Sequence, residues 1–418
     1  MIHSLFCIWG FAAGQKGEKM DRNDKKRTLI SYIILVVFSF AAVIIGNRFA
    51  VKNAKIFSTG SSSSALLVKV TAVVDTQESE VAYSGDTIIT QTVTTFEGTV
   101  LFGERKGETV TAVQTYDTFV LNTNYPVSEG DWIYALDVGT DQLVAGNYFR
   151  IRFLALLFVA VIIFLIVFAR LKGVAAMASL GLTIASVFGV FVPAILSGYN
   201  VYLWTIIICV YSIVITPLYI GGFNRKSVAS IIGCIAGVGA SGILTAVFNV
   251  IMKITGFASE DDIFVLYILP EPIDMRAITF AVVIIGALGS TLDVSMSISS
   301  SVWEMYESTG NRKFKSLLDS GTRIGRDILG TQISTLVLAY IGSGLSTVLL
   351  LFAYQSDILQ LMNLESVIIE IYDMLIGALA IILTIPFTAL VSAAALSSGA
   401  KEETVANSNE GKKVFHRS

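Results

Sequence analysis

The sequence is poor in the residues on which soluble enzymes depend. Only 15% of its 418 residues are charged, whereas soluble domains have about a quarter. It contains 2 histidines, and both lie in the tails, at His3 and His416. This scarcity argues against a histidine-ligated zinc ion and against a histidine general base. We therefore expect neither an ordinary soluble domain nor a hydrolase of the common types.

Cysteine is equally scarce. The 3 cysteines, Cys7, Cys209 and Cys234, lie in the N-terminal leader or in apolar runs, so the sequence predicts no disulfide framework and no thiolate metal site. The net charge is −3 and the basic residues are scattered among short loops, so no nucleic-acid partner is expected. The glycine-lysine loop that holds nucleotide phosphates is absent as well, and no cofactor is expected.

Long hydrophobic runs are what the sequence has in abundance, since 54% of its residues are hydrophobic. About eight runs are long enough to cross a bilayer; they lie at residues 29–46, 151–169, 174–196, 201–220, 228–252, 275–304, 328–352 and 366–396. Basic clusters flank the ends that we assign to the cytoplasm under the positive-inside rule. The expected location is the cell membrane, with both termini and the loop at residues 308–325 cytoplasmic.

The predicted domain organisation follows from these runs. Between the first two, residues 60–147 alternate valine and threonine with polar residues, a pattern that is typical of four to six short strands. The fold class is therefore an α-helical polytopic membrane protein with a small extracytoplasmic all-β domain, OB-like or a similar barrel. The predicted parts are a cytoplasmic leader at 1–28, an uncleaved signal anchor at 29–46, the β-domain at 60–147, a seven-helix membrane domain at 151–396 and a disordered cytoplasmic tail at 397–418.

Two apolar runs carry a periodic pattern of small or polar residues. In the run at 228–252 the pattern predicts a packing seam that admits another helix closely; its members are Gly233, Gly237, Ser241, Thr245 and Asn249. In the run at 275–304 it predicts one helix face, here called the polar stripe; its members are Gly286, Gly289, Ser290, Asp293, Ser297, Ser300 and Glu304. A carboxylate inside a bilayer costs about 2.5 to 3.5 kcal/mol. We therefore expect Asp293 to point into the bundle or a wet cavity and to have a partner.

The segment GALGSTLDVSMSISSSVWEM, followed by GRDILGTQISTLVLAYIG, resembles the paired signature of the YibE/F family of bacterial multi-pass membrane proteins. A weaker likeness extends from about Lys69 to Leu396. The resemblance implies a polytopic inner-membrane protein and no established activity. Related chains read GAVMDVAMSIAS and GRDIMGT; the residues of this sequence that match are Asp293, Arg326, Asp327, Gly330 and Thr331, and those that depart are Ser290, Thr291, Leu292 and Leu329.

The charged residues of these motifs admit two interpretations. Arg326 and Asp327 are predicted to open a helix at about the depth of Asp293. In one interpretation Asp293 and Arg326 form an ion pair, or Asp327 caps its own helix, as a structural clamp. In the other, Asp293 forms a cytoplasm-facing ion or proton site with hydroxyls; these are Ser297, Thr331 and Ser334. Two further acidic residues, Glu370 and Asp373, are predicted near the opposite membrane face as the outer part of the same pathway.

The function expected from these residues is secondary transport of an unknown solute, coupled to an ion or proton. The alternative is a non-catalytic envelope assembly or binding subunit that uses the β-domain. An intramembrane aspartyl protease is disfavoured, because its Gly-x-Gly-Asp motif is absent and Asp293 and Asp373 are predicted at different depths. We expect no enzyme. The expected partners are the lipid bilayer, a small solute or ion and, in the alternative, an envelope protein; a homo-oligomer is left open.

Overall fold

A computed structural model of the chain describes residues 22–53, 65–84, 87–102, 105–117, 125–137, 143–257, 262–263, 273–310, 313–354 and 357–415. The chain divides into two compact units. One comprises Phe57–Phe164, and the other comprises Met1–Ile56 together with Leu165–Ser418. Each unit is described by itself below.

The first unit contains a five-stranded barrel. Its strands are β1 (Ala65–Ser84), β2 (Thr87–Val100), β3 (Thr109–Asp117), β4 (Trp132–Leu136) and β5 (Leu143–Tyr148). The sheet order is β1-β2-β3-β5-β4, and β4 returns to β1 and closes the barrel. The strands β3 and β5 pair in parallel, whereas the other neighbouring strands are antiparallel. The prediction of a small OB-like barrel of four to six strands is confirmed.

Alternating residues of these strands fill the barrel. Val68, Phe96 and Ile133 are fully buried in one core cluster, which is what a period of two places on the inner face. The turn before Trp132 is hydrogen-bonded to β1, because the Val70 amide donates to the Asp131 carbonyl at 2.8 Å and the Gly130 amide donates to the Val70 carbonyl at 3.0 Å. We therefore assign this turn a structural role.

Nine helices follow the chain through the described residues. They are α1 (Arg22–Ala50), α2 (Ile151–Ser186), α3 (Val192–Leu196), α4 (Val201–Gly221), α5 (Arg225–Ile251), α6 (Met275–Thr309), α7 (Phe314–Tyr354), α8 (Ile358–Met362) and α9 (Glu365–Phe415). These helices contain eight segments that are long and apolar enough to cross a membrane. The prediction of about eight spans is confirmed.

Two helix bounds differ from those predicted. Helix α7 begins at Phe314, whereas the sequence predicted a start near residue 326. The earlier start is stabilised by Leu317, which is fully buried and packs against the other helices in the bundle core. Helix α9 continues to Phe415, where the sequence predicted a disordered tail from residue 397. The added stretch contains no proline and many good helix formers, such as alanine, glutamate and lysine.

Helix α6 lies at the centre of the second unit. On one side its Phe280 and Ile284 pack in a cluster with apolar residues of α4 and α5. On the other side its Val294 and Ile298 pack with residues of α7 and α9. Only a narrow face of α6 is left free of these neighbours.

The predicted seam on α5 is a close helix contact, and its partner is α9. A Cβ atom added at Gly233 would lie 2.6 Å from the Cα atom of Thr388, and one added at Gly237 would lie 2.7 Å from the Cα atom of Thr384. No side chain fits at such distances. The two glycines therefore set how closely α5 and α9 approach each other.

Helix α1 forms a hydrogen bond with the rest of the second unit at the irregular turn between α2 and α3. Pro193 has no amide to donate to the carbonyl of Gly189, four residues earlier, and the backbone forms a π-helical turn over Val187–Phe191. The side-chain amide of Asn47 donates to the Gly189 carbonyl instead. Elsewhere on α1, the fully buried Ser39 forms a hydrogen bond of 2.8 Å with the Tyr219 hydroxyl.

Candidate functional site

The polar stripe of α6 is a single helix face, as predicted, but it does not point into the bundle. Its residues Gly286, Gly289, Asp293, Ser297, Ser300 and Glu304 are exposed on the second unit, and Ser290 is half-buried. The expectation that Asp293 faces the interior is wrong. The reason is that apolar residues on the remaining faces of α6 already occupy the contacts with α4, α5, α7 and α9.

The predicted clamp is also absent. Asp293 and Arg326 are both described and form no ion pair with each other. Asp327 lies well inside α7, which begins at Phe314, so it does not cap that helix. Thr331 is exposed, and its hydroxyl donates to the Ile328 carbonyl of its own helix at 2.8 Å. The structure therefore gives Asp293, Arg326 and Thr331 no side-chain partner on another helix, whereas Ser295 of the same α6 motif forms a hydrogen bond with Ser230 of α5.

The carboxylate that the structure buries is Asp373 of α9. Its exposed fraction is 3%, and its Oδ1 atom has no hydrogen-bond partner. No described lysine or arginine forms an ion pair with it. Glu370, one turn earlier on the same helix, is half-buried. Glu370 and Asp373 therefore form a pair of neighbouring acidic groups, of which Asp373 is buried and Glu370 is half-buried.

Tyr340 of α7 completes this acidic cluster. Its hydroxyl is buried and has no hydrogen-bond partner, and it lies against Gly286, where any side chain would collide with it. Both Asp373 and Glu370 are close enough to interact electrostatically with Tyr340. Tyr340 is not among the site residues predicted from the sequence. The only signal was a tyrosine within an otherwise apolar run.

Gly344 of α7 leaves room for the Glu370 side chain. A Cβ atom at Gly344 of α7 would lie 3.1 Å from the carboxyl carbon of Glu370. The absence of a side chain at Gly344 therefore lets the carboxylate pack against the backbone of α7. Glycines of α6 and α7 thus accommodate the polar groups of the cluster.

Asn249 of α5 lies at the same level as Asp373. Helices α5 and α9 are antiparallel, because Gly233 lies against Thr388 and Gly237, four residues later, lies against Thr384, four residues earlier. Each further four-residue step along α5 therefore corresponds to four residues towards the N-terminus of α9. Three further steps place Asn249 level with Tyr372. The Tyr372 hydroxyl donates to the Thr245 carbonyl at 2.8 Å, so the two helices are still in contact there.

Asn249 is itself buried without partners. Its exposed fraction is 7%, and neither atom of its side-chain amide forms a hydrogen bond. Three helices therefore bring unpaired, buried polar atoms to one level of the bundle. Asn249, Tyr340, Glu370 and Asp373 are called the Asp373 cluster below.

Tyr340 of the Asp373 cluster lies against Gly286 of the polar stripe, but Asp373 and Asp293 are far apart. Gly377 of α9 lies against Ala287 of α6, with 3.9 Å between the Ala287 Cβ atom and a Cβ atom added at the glycine. Asp373 is therefore level with residue 283 or so, and Asp293 lies about 15 Å further along the bundle at 1.5 Å per residue. The structure does not bring the two aspartates together, and their depths differ as predicted.

The chemistry available to the Asp373 cluster is that of oxygen ligands. Carboxylate, amide and phenol groups can hold a proton or a small cation. No group of three or more histidine, cysteine, aspartate or glutamate side chains suitable for a metal ion is found among the described residues. Two surface cavities of about 450 and 470 Å³ lie elsewhere, the first lined by Lys313 and Arg323 and the second by Phe223 and Val391.

Comparison with protein families assigns the helical part of the chain to a known family. A family described as YibE/F-like protein matches residues 157–398 of the chain. The chain belongs to the YibE/F family. No curated protein and no solved structure matches it. In this YibE/F protein the matched segment contains the polar stripe, the α7 motif and the whole Asp373 cluster, whereas the barrel lies outside it.

Proposed function

We propose that this YibE/F protein transports a small solute or ion across the cell membrane, and that Asp373 binds and releases the coupling proton or cation. The observation that carries the proposal is the burial of Asp373 inside a candidate span with one oxygen unpaired. In this arrangement both termini are cytoplasmic and the barrel is extracytoplasmic.

Burial without a partner disfavours the ionised form of Asp373. An ionised carboxylate that is buried without a partner is strongly unfavourable, so such a group holds a proton or binds a cation. Ionisable residues inside membrane bundles commonly mark ion pathways and proton relays. A purely structural role would leave the acidic group with a basic partner or with saturated hydrogen bonds, and Asp373 has neither.

Polar groups at the level of Asp373 support binding of a positive charge. The uncharged groups of the Asp373 cluster offer oxygen atoms from the Asn249 amide and the Tyr340 phenol, and both groups are unpaired. Further along the same helix, Thr388 and Ser392 are buried with unpaired hydroxyls. These groups provide polar positions between the cluster and the cytoplasmic end of α9. Since no nucleotide-binding loop is present, an ion gradient is the available source of energy.

The test uses the full-length protein in liposomes under an imposed proton or Na⁺ gradient. Wild-type protein should carry proton or Na⁺ flux, measured with an entrapped pH dye or with labelled Na⁺. Asp373→Asn keeps the shape of the side chain but cannot exchange a proton, so its flux should fall to that of protein-free liposomes. Asp319→Asn, the same change at an exposed position of α7, is the matched control and should retain flux. Equal flux in wild type and Asp373→Asn would contradict the proposal.

A carbodiimide supplies an independent readout, because it modifies protonated carboxyl groups in apolar surroundings. Peptide mass spectrometry should find Asp373 modified and Asp319 unmodified. Protection of Asp373 by added Na⁺ would identify a cation as the coupling species, whereas protection by high pH alone would identify a proton.

One observation favours the alternative of a binding subunit. Strands β1 and β2 form a long ribbon, with pairs from Asp75–Thr95 to Ser84–Thr87, and from the Glu80–Thr90 pair onwards it extends past β3 as two strands alone. The β1 residues 75–80 of this ribbon are exposed, and so is Val74 before them, to 58%. An exposed strand edge is a common site for partner binding. If the ribbon binds an envelope protein, shortening it by residues 77–90 should abolish co-purification of that protein while leaving ion flux unchanged.

A further inference from the structure

The most polar membrane helix of the second unit is one of the least buried. The α7 segment Phe314–Ser346 has the lowest mean hydropathy of the eight candidate spans, yet only 11% of its most apolar window is buried. The span Ile30–Ala50 is equally exposed and Ile151–Arg170 more so, but both are far more hydropathic. Those two spans can face lipid at little cost. Lipid contact accounts for the exposed apolar residues of α7, such as Leu338, but not for its exposed polar residues.

The exposed surface of α7 adjoins the polar stripe of α6. We call the two together the α6/α7 face; its exposed members are Gly289, Asp293, Ser297 and Ser300 of α6 and Arg326, Asp327, Gly330, Thr331 and Ser334 of α7. A Cβ atom added at Gly289 or at Gly330 would meet nothing within 4 Å. The face is thus small, polar and open, and it carries Arg326 and two carboxylates, Asp293 and Asp327, none of which forms an ion pair within the described residues.

We propose that the α6/α7 face binds the same face of a second copy of this chain, forming a two-fold symmetric dimer in the membrane. This inference goes beyond the transport proposal and does not depend on it. Small residues let helix backbones approach closely across such an interface. Burying the face would also remove Asp293 and Arg326 from lipid.

Charge complementarity is what identifies a second copy as the partner. Helices α6 and α7 are antiparallel, with Tyr340 against Gly286 and Ile298 against Gly325. Arg326 is therefore level with residue 297 or so, about 6 Å from the level of Asp293 at 1.5 Å per residue. In a dimer with a two-fold axis along the membrane normal, residues at the same depth in the two copies face each other, and both copies contribute the same surface. Arg326 of each copy then reaches Asp293 of the other with its long side chain.

The first experiment measures the oligomeric state of the full-length protein in nanodiscs and in detergent, by native mass spectrometry over a range of concentrations. Wild type should be a dimer. Asp293→Lys and Arg326→Glu should each weaken dimerisation on the order of 10-fold or more, because like charges then meet. The double variant restores opposite charges and should restore the dimer. Arg276→Glu reverses a charge at an exposed position outside the face and should leave the dimer intact.

The second experiment does not depend on charge reversal and uses changes that conserve size. In a background without native cysteines, Ser297→Cys should give a disulfide-linked dimer in membranes under mild oxidation. Ile243→Cys, at an α5 position that is 68% exposed, should not. A wild type that stays monomeric, equal cross-linking at the two positions, or a cross-linked product with another protein would overturn the proposal. Failure of the double charge variant to dimerise would also overturn the Asp293–Arg326 contact.

Discussion

The close contact between α5 and α9 makes a quantitative prediction with a matched control on the same helix. Gly237 faces α9, and a Cβ atom there would lie 2.7 Å from the Cα atom of Thr384. Gly239, two residues on, is exposed, and a Cβ atom there would meet nothing within 4 Å. The changes Gly237→Ala and Gly239→Ala therefore add the same methyl group to the same helix in opposite environments.

The magnitude follows from two opposing effects. Replacing glycine by alanine inside a helix stabilises it by up to about 1 kcal/mol, and Gly239→Ala should show this gain alone. At Gly237 the backbones must part by about 0.7 Å to raise the contact from 2.7 Å to the 3.4 Å at which ordinary contacts begin. Overpacking of this kind costs about 1 to 3 kcal/mol. Gly237→Ala should therefore be less stable than Gly239→Ala by about 1 to 3 kcal/mol, since the helix gain is common to both and cancels.

The assay is reversible unfolding of both variants and wild type in mixed micelles, followed by tryptophan fluorescence or helical circular dichroism. Partial compensation at Thr384 offers a further check, because Thr384→Ala removes the hydroxyl oxygen that lies nearest to the added atom. The double variant Gly237→Ala with Thr384→Ala should recover part of the loss. If Gly237→Ala proved as stable as Gly239→Ala, the close approach of α5 and α9 would be refuted.

Three further predictions concern other parts of the chain. Asn47→Ala should lower stability by about 1 to 3 kcal/mol, measured by thermal unfolding in detergent, because the Gly189 carbonyl loses its donor; unchanged stability would contradict that role. In intact cells an impermeant thiol reagent should label Lys106→Cys and leave Lys315→Cys unlabelled; the reverse result would contradict the predicted orientation. The pKa of Glu108 is lowered, chiefly by its hydrogen bond from the arginine three residues earlier, so the stabilisation is present at neutral pH and lost as pH falls through that lowered pKa. Glu108→Gln should speed hydrogen exchange in the barrel near pH 7 and lose this effect in acid, and an effect that persists in acid would contradict the linkage.

The sequence predicted the eight spans because each is a local property of some twenty consecutive apolar residues, and it predicted the barrel because strand alternation and turn residues are equally local. It also predicted that Gly233 and Gly237 form a packing seam, since small residues at four-residue steps share a helix face. The same periodicity grouped the members of the polar stripe correctly. These inferences need only the geometry of one element at a time.

Which face of a helix turns inward was decided by the tertiary structure. The stripe around Asp293 was expected inside because of its charge, but α6 has four packing neighbours and their apolar contacts outweigh one carboxylate. The helix start at Phe314 depended on Leu317 reaching a core that other helices build. The Asp373 cluster joins residues from three helices, and its level in the bundle follows from the α5–α9 register, which two glycines set through contacts about 150 residues apart in sequence. No periodicity within a single helix contains that information, because the register is fixed only where two backbones touch.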